Sequence, residues 1–204
     1  MQYLASTGED TVVGIAHGTP LTTEFRSTWL SSSVRALRER DLWDRYLQHL
    51  APEHREAVEL HVAGTWLPIE VAHAHYTACD RLGLGASELD EIGREVSDRL
   101  HATILGVVVR AAKSAGATPW TVLERTPRLW RRIWVGGDIA LYRLGPKEAR
   151  LEAYAFPLAR YQYIQHGFRG VLCALVEMFC RTAYVRQLGP RCTSERLVYQ
   201  ISWA

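Results

Sequence analysis

The hydrophobic period of this chain changes at Trp134, and that change limits the fold more than any other feature. From Thr22 up to it, apolar residues recur at three- and four-residue steps; after it alternating runs appear, with one further helix among them. Phe25, Trp29, Val34, Leu37, Leu42, Trp43, Tyr46, Leu47 and Leu50 form the first helical stripe. Pro52 opens a short helix that Gly64 closes, and Trp66-Leu67-Pro68 connects it to a helix from Ile69 to Leu82, ended by Gly83. The next helix has Ser87 as N-cap and Asp90 and Glu91 in its first turn. Ile92, Val96, Leu100, Ile104, Val107, Val108 and Ala111 make its apolar stripe, which extends to about Lys113. Thr118-Pro119 starts a further helix that Pro127 bends or interrupts before Trp130.

Beyond Gly136-Gly137 the pattern is that of a sheet. Asp138 to Leu144 and Ala149 to Phe156 alternate and are joined at Gly145-Pro146, which predicts a hairpin. A helix from about Tyr163 to Cys180 follows, with Val171, Leu172, Leu175, Val176 and Phe179 on its buried face. Thr182 to Leu188 and Arg196 to Trp203 are two more strands, separated by Gly189-Pro190, and Thr11 to Ala16 is a β-prone run near the start. The expected architecture is α+β: an N-terminal arm or short strand (1–20), a helical layer of about five helices (21–134), and a β-β-α-β-β subdomain with a mostly antiparallel sheet (135–204), packed as one compact unit.

With 204 residues, 48% apolar and 23% charged, the composition excludes a collagen, a coiled coil, a disordered chain and a small disulfide scaffold. A net charge of +2 conceals an asymmetry: residues 1–102 carry 9 basic and 16 acidic side chains, residues 103–204 carry 15 and 6. Two oppositely charged halves could answer each other within the chain or dock two subunits, so a homodimer is a possible partner state. The basic residues are 22 Arg against 2 Lys, a bias that a GC-rich coding sequence explains more simply than phosphate recognition. Met1 to Asp10 has no basic segment followed by an apolar run, and the longest apolar patch, Ala102 to Ala112, is short and broken by Arg110. A cytoplasmic location without a membrane partner is expected. Cys79, Cys173, Cys180 and Cys192 include no Cys-x-x-Cys pair and read as buried thiols.

No nucleophile elbow is present, and Ser31-Ser32-Ser33 reads as a surface stretch of a helix. Gly83-Leu84-Gly85-Ala86-Ser87 lacks the third glycine and the preceding strand of a dinucleotide loop. His75 and Cys79 are four apart on one helical face, with His73 and Asp80 close enough to supply a third metal ligand, but no second cluster completes the set. His101 sits at the edge of the long apolar stripe, where a core histidine or a haem axial ligand would both fit. Between Trp120 and Trp134, tryptophans interleave with Arg125, Arg128, Arg131 and Arg132, a pattern suited to stacking and charge-assisted contacts. The simpler account has the tryptophans packing helices onto the sheet while the arginines answer the acidic half. Trp120, Arg128, Trp130, Arg131 and Trp134, with the hairpin tyrosines Tyr142 and Tyr154, are the candidate binding residues.

Val12-Val13-Gly14, Trp66-Leu67-Pro68, Pro127-Arg128-Leu129-Trp130, Gly137-Asp138, Gly167-Phe168-Arg169-Gly170-Val171-Leu172 and Val198-Tyr199-Gln200-Ile201-Ser202-Trp203 together give the chain a recognisable outline. It resembles a domain family of unknown function found chiefly in myxobacteria, which in turn is similar in architecture to haem nitric-oxide/oxygen-binding and vinyl-reductase-like sensor domains. The resemblance runs from about Thr11 to the end of the chain. It implies a ligand pocket between the helical layer and the sheet. Haem members hold the propionates with Tyr-x-Ser-x-Arg, a motif that no tyrosine here begins. The leading expectation is therefore a non-catalytic binding protein without a cofactor, sensor or adaptor, taking a small apolar or aromatic ligand or a peptide segment. An enzyme or a metal- or haem-dependent protein using His73, His75, Asp80 or His101 is the alternative, and nucleic acid is not expected as a partner.

Overall fold

In the computed structural model, which describes residues 9–100 and 116–204, the alternating runs become strands at nearly the expected bounds. These are β5 (Asp138–Gly145), β6 (Glu148–Tyr154), β7 (Ala183–Gln187) and β8 (Leu197–Trp203), and β1 (Asp10–Val13) joins them from the N-terminal arm. The five-stranded sheet has the order β1-β5-β6-β8-β7, and every pairing is antiparallel. The fold is α+β, as the change of period predicts.

The helices are α1 (Ser27–Glu39), α2 (Trp43–His49), α3 (Arg55–Glu59), α4 (Ile69–Asp80), α5 (Ala86–Leu100), α6 (Pro119–Leu123), α7 (Thr126–Ile133) and α8 (Gln162–Glu177). The expected helix after Thr118 is divided at Glu124 and Arg125, and Pro127 falls in the first turn of α7, where its missing N–H leaves no helical bond unmade. The predicted continuation of α5, with Ile104, Val107, Val108, Ala111 and His101, lies outside the described residues. Three short strands were not expected: β2 (Glu24–Arg26) pairs with both β3 (Trp66–Pro68) and β4 (Trp134–Val135). Two or three residues are too few for alternation to show, so Trp66-Leu67-Pro68 reads as a connector when it is half of a ladder.

Cross-strand neighbours Ile139–Ala153, Leu141–Leu151, Leu151–Tyr199 and Ala149–Ile201 place one apolar face of the sheet under the helices. The opposite face carries Arg150 and Glu152, 2% and 0% exposed. Glu152 accepts from Arg150 Nε at 2.6 Å, from Arg196 and from the Tyr154 hydroxyl, and Arg150 also pairs with Glu9.

α5 and α8 touch backbone to backbone. A Cβ on Gly93 would meet the carbonyl of Gly167, and one on Gly170 would meet the carbonyl of Asp90. Beside this contact the Asp90 carboxylate binds Arg169, with Nε at 2.7 Å, and Arg94 binds Glu177 at 2.5 Å. These two pairs and Arg150–Glu9 join the acidic half to the basic half within one chain. The Asp80 carboxylate, at the end of α4, accepts the first backbone N–H groups of α8, from Tyr163 at 2.8 Å and Gln162 at 3.0 Å. It thus caps a helix distant in sequence. No helix among the described residues is long and apolar enough to cross a membrane.

Candidate functional site

Where α1, α5, α7 and α8 meet the sheet, packing leaves a cavity of about 100 Å³. Its described walls are Trp29 from α1, Ser97 from α5, Thr126, Leu129, Trp130 and Ile133 from α7, and Trp134 from β4. Ile139 and Leu151 line it from the sheet, and Phe168, Val171, Leu172 and Leu175 from α8. Trp130 and Trp134 are tilted against each other with centroids 5.7 Å apart, and Trp134 also meets Trp29 edge-on at 5.6 Å and Phe156 at 5.0 Å. Offset and edge-to-face geometry of this kind stabilises an aromatic wall beyond its buried area. The Trp130 indole donates to the Gly136 carbonyl at 3.1 Å, and the Trp29 indole donates to the Tyr76 hydroxyl at 2.8 Å.

A smaller void of about 20 Å³ shares Trp29, Phe168 and Val171 with this cavity and extends to Ser33, Tyr76 and Tyr163. Around it lies a buried polar chain. The Ser33 hydroxyl is 2.9 Å from His75 Nε2 and 2.7 Å from the Tyr163 hydroxyl, while His75 Nδ1 is 2.8 Å from the Tyr46 hydroxyl. Ser33 is 2% exposed, so this part of the serine run belongs to the core rather than the surface. A helical stripe assigned by apolar side chains alone passes over a serine whose partner lies forty-two positions away.

Burial lowers the His75 pKa to about 3, leaving the ring neutral, and burial likewise pushes the Cys79 thiol well above its usual value. A thiol so placed is a poor nucleophile. His73, its own pKa lowered by burial, turns instead to the Tyr161 hydroxyl at 2.9 Å, and Asp80 is engaged in capping α8. His73, His75 and Asp80, three of the residues suggested for metal or acid–base work, thus each have a structural partner, and no set of three metal-ligating side chains converges among the described residues.

The unfolded chain protonates at His75 before the folded one does, so this residue's contribution to stability is full above about pH 6.5 and is lost as pH falls towards 3. Urea unfolding at about pH 7 and about pH 4.5 should show this acid limb flattened in His75→Gln. His73 and His166, whose pKa values burial also lowers, act in the same direction in both proteins, so the difference isolates His75.

The seven candidate binding residues do not form one site. Trp130 and Trp134 line the central cavity. Trp120 lies at the end of the sheet, edge-on to Trp203 at 5.2 Å and under the Arg143 guanidinium, with its indole donating to the Pro146 carbonyl at 2.8 Å. Arg131 pairs with Asp138 at 2.9 Å and Arg128 is exposed. Tyr142 and Tyr154 line a cleft of about 510 Å³ on the opposite side of the sheet, beneath the arm from Thr11 to Thr19. Trp29, Leu129 and Phe168 are cavity residues that the sequence does not single out, because an apolar side chain facing a void follows the same helical period as one facing a neighbour.

A helical layer set across an antiparallel sheet, with an aromatic chamber between them, defines an α+β domain of the H-NOX-like architecture. The unliganded Fe(II) H-NOX protein from K. algicida superposes with a TM-score of 0.65 at 6% identity, over 88% of this chain and 96% of that one. An oxygen-binding H-NOX domain related to soluble guanylate cyclases, in its oxygen complex, gives 0.59 at 12% identity, over 87% and 94%. A structure from work on haem distortion in the H-NOX family gives 0.61 at 13% identity, over 87% and 94%. No family model matches the chain, and no curated protein does. The similarity is one of fold.

The described residues do not fit a haem. Their cavity of about 100 Å³ is well below the roughly 300–1,000 Å³ of ordinary ligand pockets, and its described walls hold no histidine, cysteine, tyrosine or arginine. No axial ligand for iron and no cation for a propionate is therefore offered there. His101 lies outside the described residues.

Proposed function

We propose that this chain is a non-catalytic, sensor-like binding domain that takes a small apolar or aromatic molecule between its helical layer and its sheet. The aromatic cavity carries this reading: well-packed interiors leave few voids larger than a water molecule, and dry apolar cavities of about 150 Å³ take up benzene or xenon. The quoted motifs from Val12 to Trp203 support placing the chain with the myxobacterial family. The fold supports grouping that family with haem nitric-oxide/oxygen-binding and vinyl-reductase-like sensors.

Benzene or xenon should raise the melting temperature in a saturable way, as mass action requires for a ligand bound only by the folded state. Leu129→Trp, which fills the cavity from α7, should abolish the rise. Formation of product from a bound molecule, or no stabilisation by any small apolar probe, overturns the reading. A peptide segment is the second reading, favoured by the Tyr142–Tyr154 cleft, whose size lies in the ordinary range for ligand pockets.

A further inference from the structure

We infer that the outer edge of β7 docks an extended segment of a partner protein in which apolar and acidic residues alternate, the segment pairing with β7 as a sixth strand. The inference is independent of the cavity and of the Tyr142–Tyr154 cleft. β7 ends the five-stranded sheet, and its five residues run in register with β8 without a bulge or a proline. β1, at the other end, has a register break between Thr11 and Val13. A bulged edge resists strand addition, whereas a regular open one is a template for it.

The ladder shows which backbone groups are open. The Ala204 N–H donates to the Thr182 carbonyl and the Leu188 N–H to the Val198 carbonyl. Even-numbered residues of β7 therefore turn their peptide groups to β8, and odd-numbered ones turn theirs outward. α8 satisfies the first of these: the Ala183 N–H donates to Glu177 at 3.4 Å, and the Cys173 thiol donates to the Ala183 carbonyl at 3.3 Å. Val185 and Gln187 have no further strand beside them among the described residues.

The side chains on either face of this edge select the occupant. On the helix side a cleft of about 380 Å³ is lined by Gly170, Cys173, Ala183 and Val185, with Arg94 and Arg169. It suits apolar side chains. On the other face Tyr184 is 65% exposed and Arg186 is exposed. Arg94 and Arg169 have Glu177 and Asp90 as counter-ions, but Arg186 is held by the neutral Gln200 side chain at 2.5 Å and pairs with no carboxylate among the described residues. Side chains of an added strand alternate between the two faces, so acidic residues at every second position would lie beside Arg186. A second copy of β7 carries Arg186 and no acidic residue, and so lacks this complementarity.

The probe is an acetylated and amidated hexapeptide alternating glutamate and valine, with its lysine–valine counterpart as the control. The full chain should bind the first and not the second. Val185→Pro removes an outward N–H at an edge position that admits proline, and should abolish binding with the melting temperature nearly unchanged. Arg186→Glu should weaken binding about tenfold. In the wild-type protein, bound peptide should slow deuterium exchange at the Val185 and Gln187 amides and leave Tyr184 and Arg186, already bonded to β8, as they were. This readout decides the matter if Val185→Pro fails to fold. Equal binding of both peptides, binding that survives Val185→Pro, unchanged exchange at Val185 and Gln187, or no binding overturns the inference. A homodimer that Val185→Pro dissolves also overturns it, since the edge would then belong to a second copy.

Discussion

Replacing Gly93 or Gly170 by alanine is expected to destabilise the fold by about 3 kcal/mol at each site, the upper end of the cost typical of overpacking. The new methyl group would meet a backbone carbonyl of the facing helix, at Gly167 or at Asp90, and no side chain there can rotate away. Gly167 sits in the same crossing but is not equivalent: a Cβ on it has Leu89 O at 3.9 Å as its nearest atom. Gly167→Ala should therefore be neutral or stabilising by up to about 1 kcal/mol, the helix-propensity difference. Urea midpoints of the three variants at constant m-value would establish the order. Equal loss at all three positions would show that the crossing tolerates or rejects bulk for some other reason.

Glu152→Ala should be the most damaging substitution on the opposite face of the sheet, at about 3–5 kcal/mol. The carboxylate is 0% exposed and binds Arg150, Arg196 and the Tyr154 hydroxyl, so removing it leaves the Arg150 guanidinium, itself 2% exposed, with Glu9 as its remaining anion. Glu152→Gln keeps one accepting oxygen, enough for Arg196 and the Tyr154 hydroxyl, while its NH2 would face the Arg150 guanidinium, so it should fall between alanine and wild type. Thermal unfolding of the two variants checks this ranking. If Glu152→Ala unfolds at the wild-type temperature, the cluster contributes nothing beyond its packing.

The sheet and α8 were legible because each is long enough to express its own period. Asp138 to Leu144 reads as an alternating run before Gly145-Pro146, where the structure carries the strand to Gly145 and turns at Pro146 and Lys147, and α8 keeps its stripe over four turns of Gln162–Glu177. β2, β3 and β4 were not, since each acquires its hydrogen bonds only from residues tens of positions away. The tryptophan–arginine segment shows the same division within one element. Its composition identified a junction between helices and sheet, but the helical turn of α7 sends Trp130 into the cavity while Arg128 and Arg131 face outward. The cavity itself draws Trp29, Ser97, Trp134, Leu151 and Phe168 from five elements, and a void among them is a property of how those elements meet. No local pattern encodes it.

The backbone contact between α5 and α8 also decides where the chamber can yield. Both helices supply walls, Ser97 from one and Phe168, Val171 and Leu172 from the other, and at Gly93 and Gly170 they are already as close as peptide groups allow. That corner is mechanically stiff. The eight-residue α7 lines the chamber with Trp130 and faces solvent with Arg128 and Arg131. A guest too large for the resting chamber therefore finds no room by parting α5 from α8 at Gly93 and Gly170, so the crossing of these two helices sets one fixed dimension of what the chamber can hold.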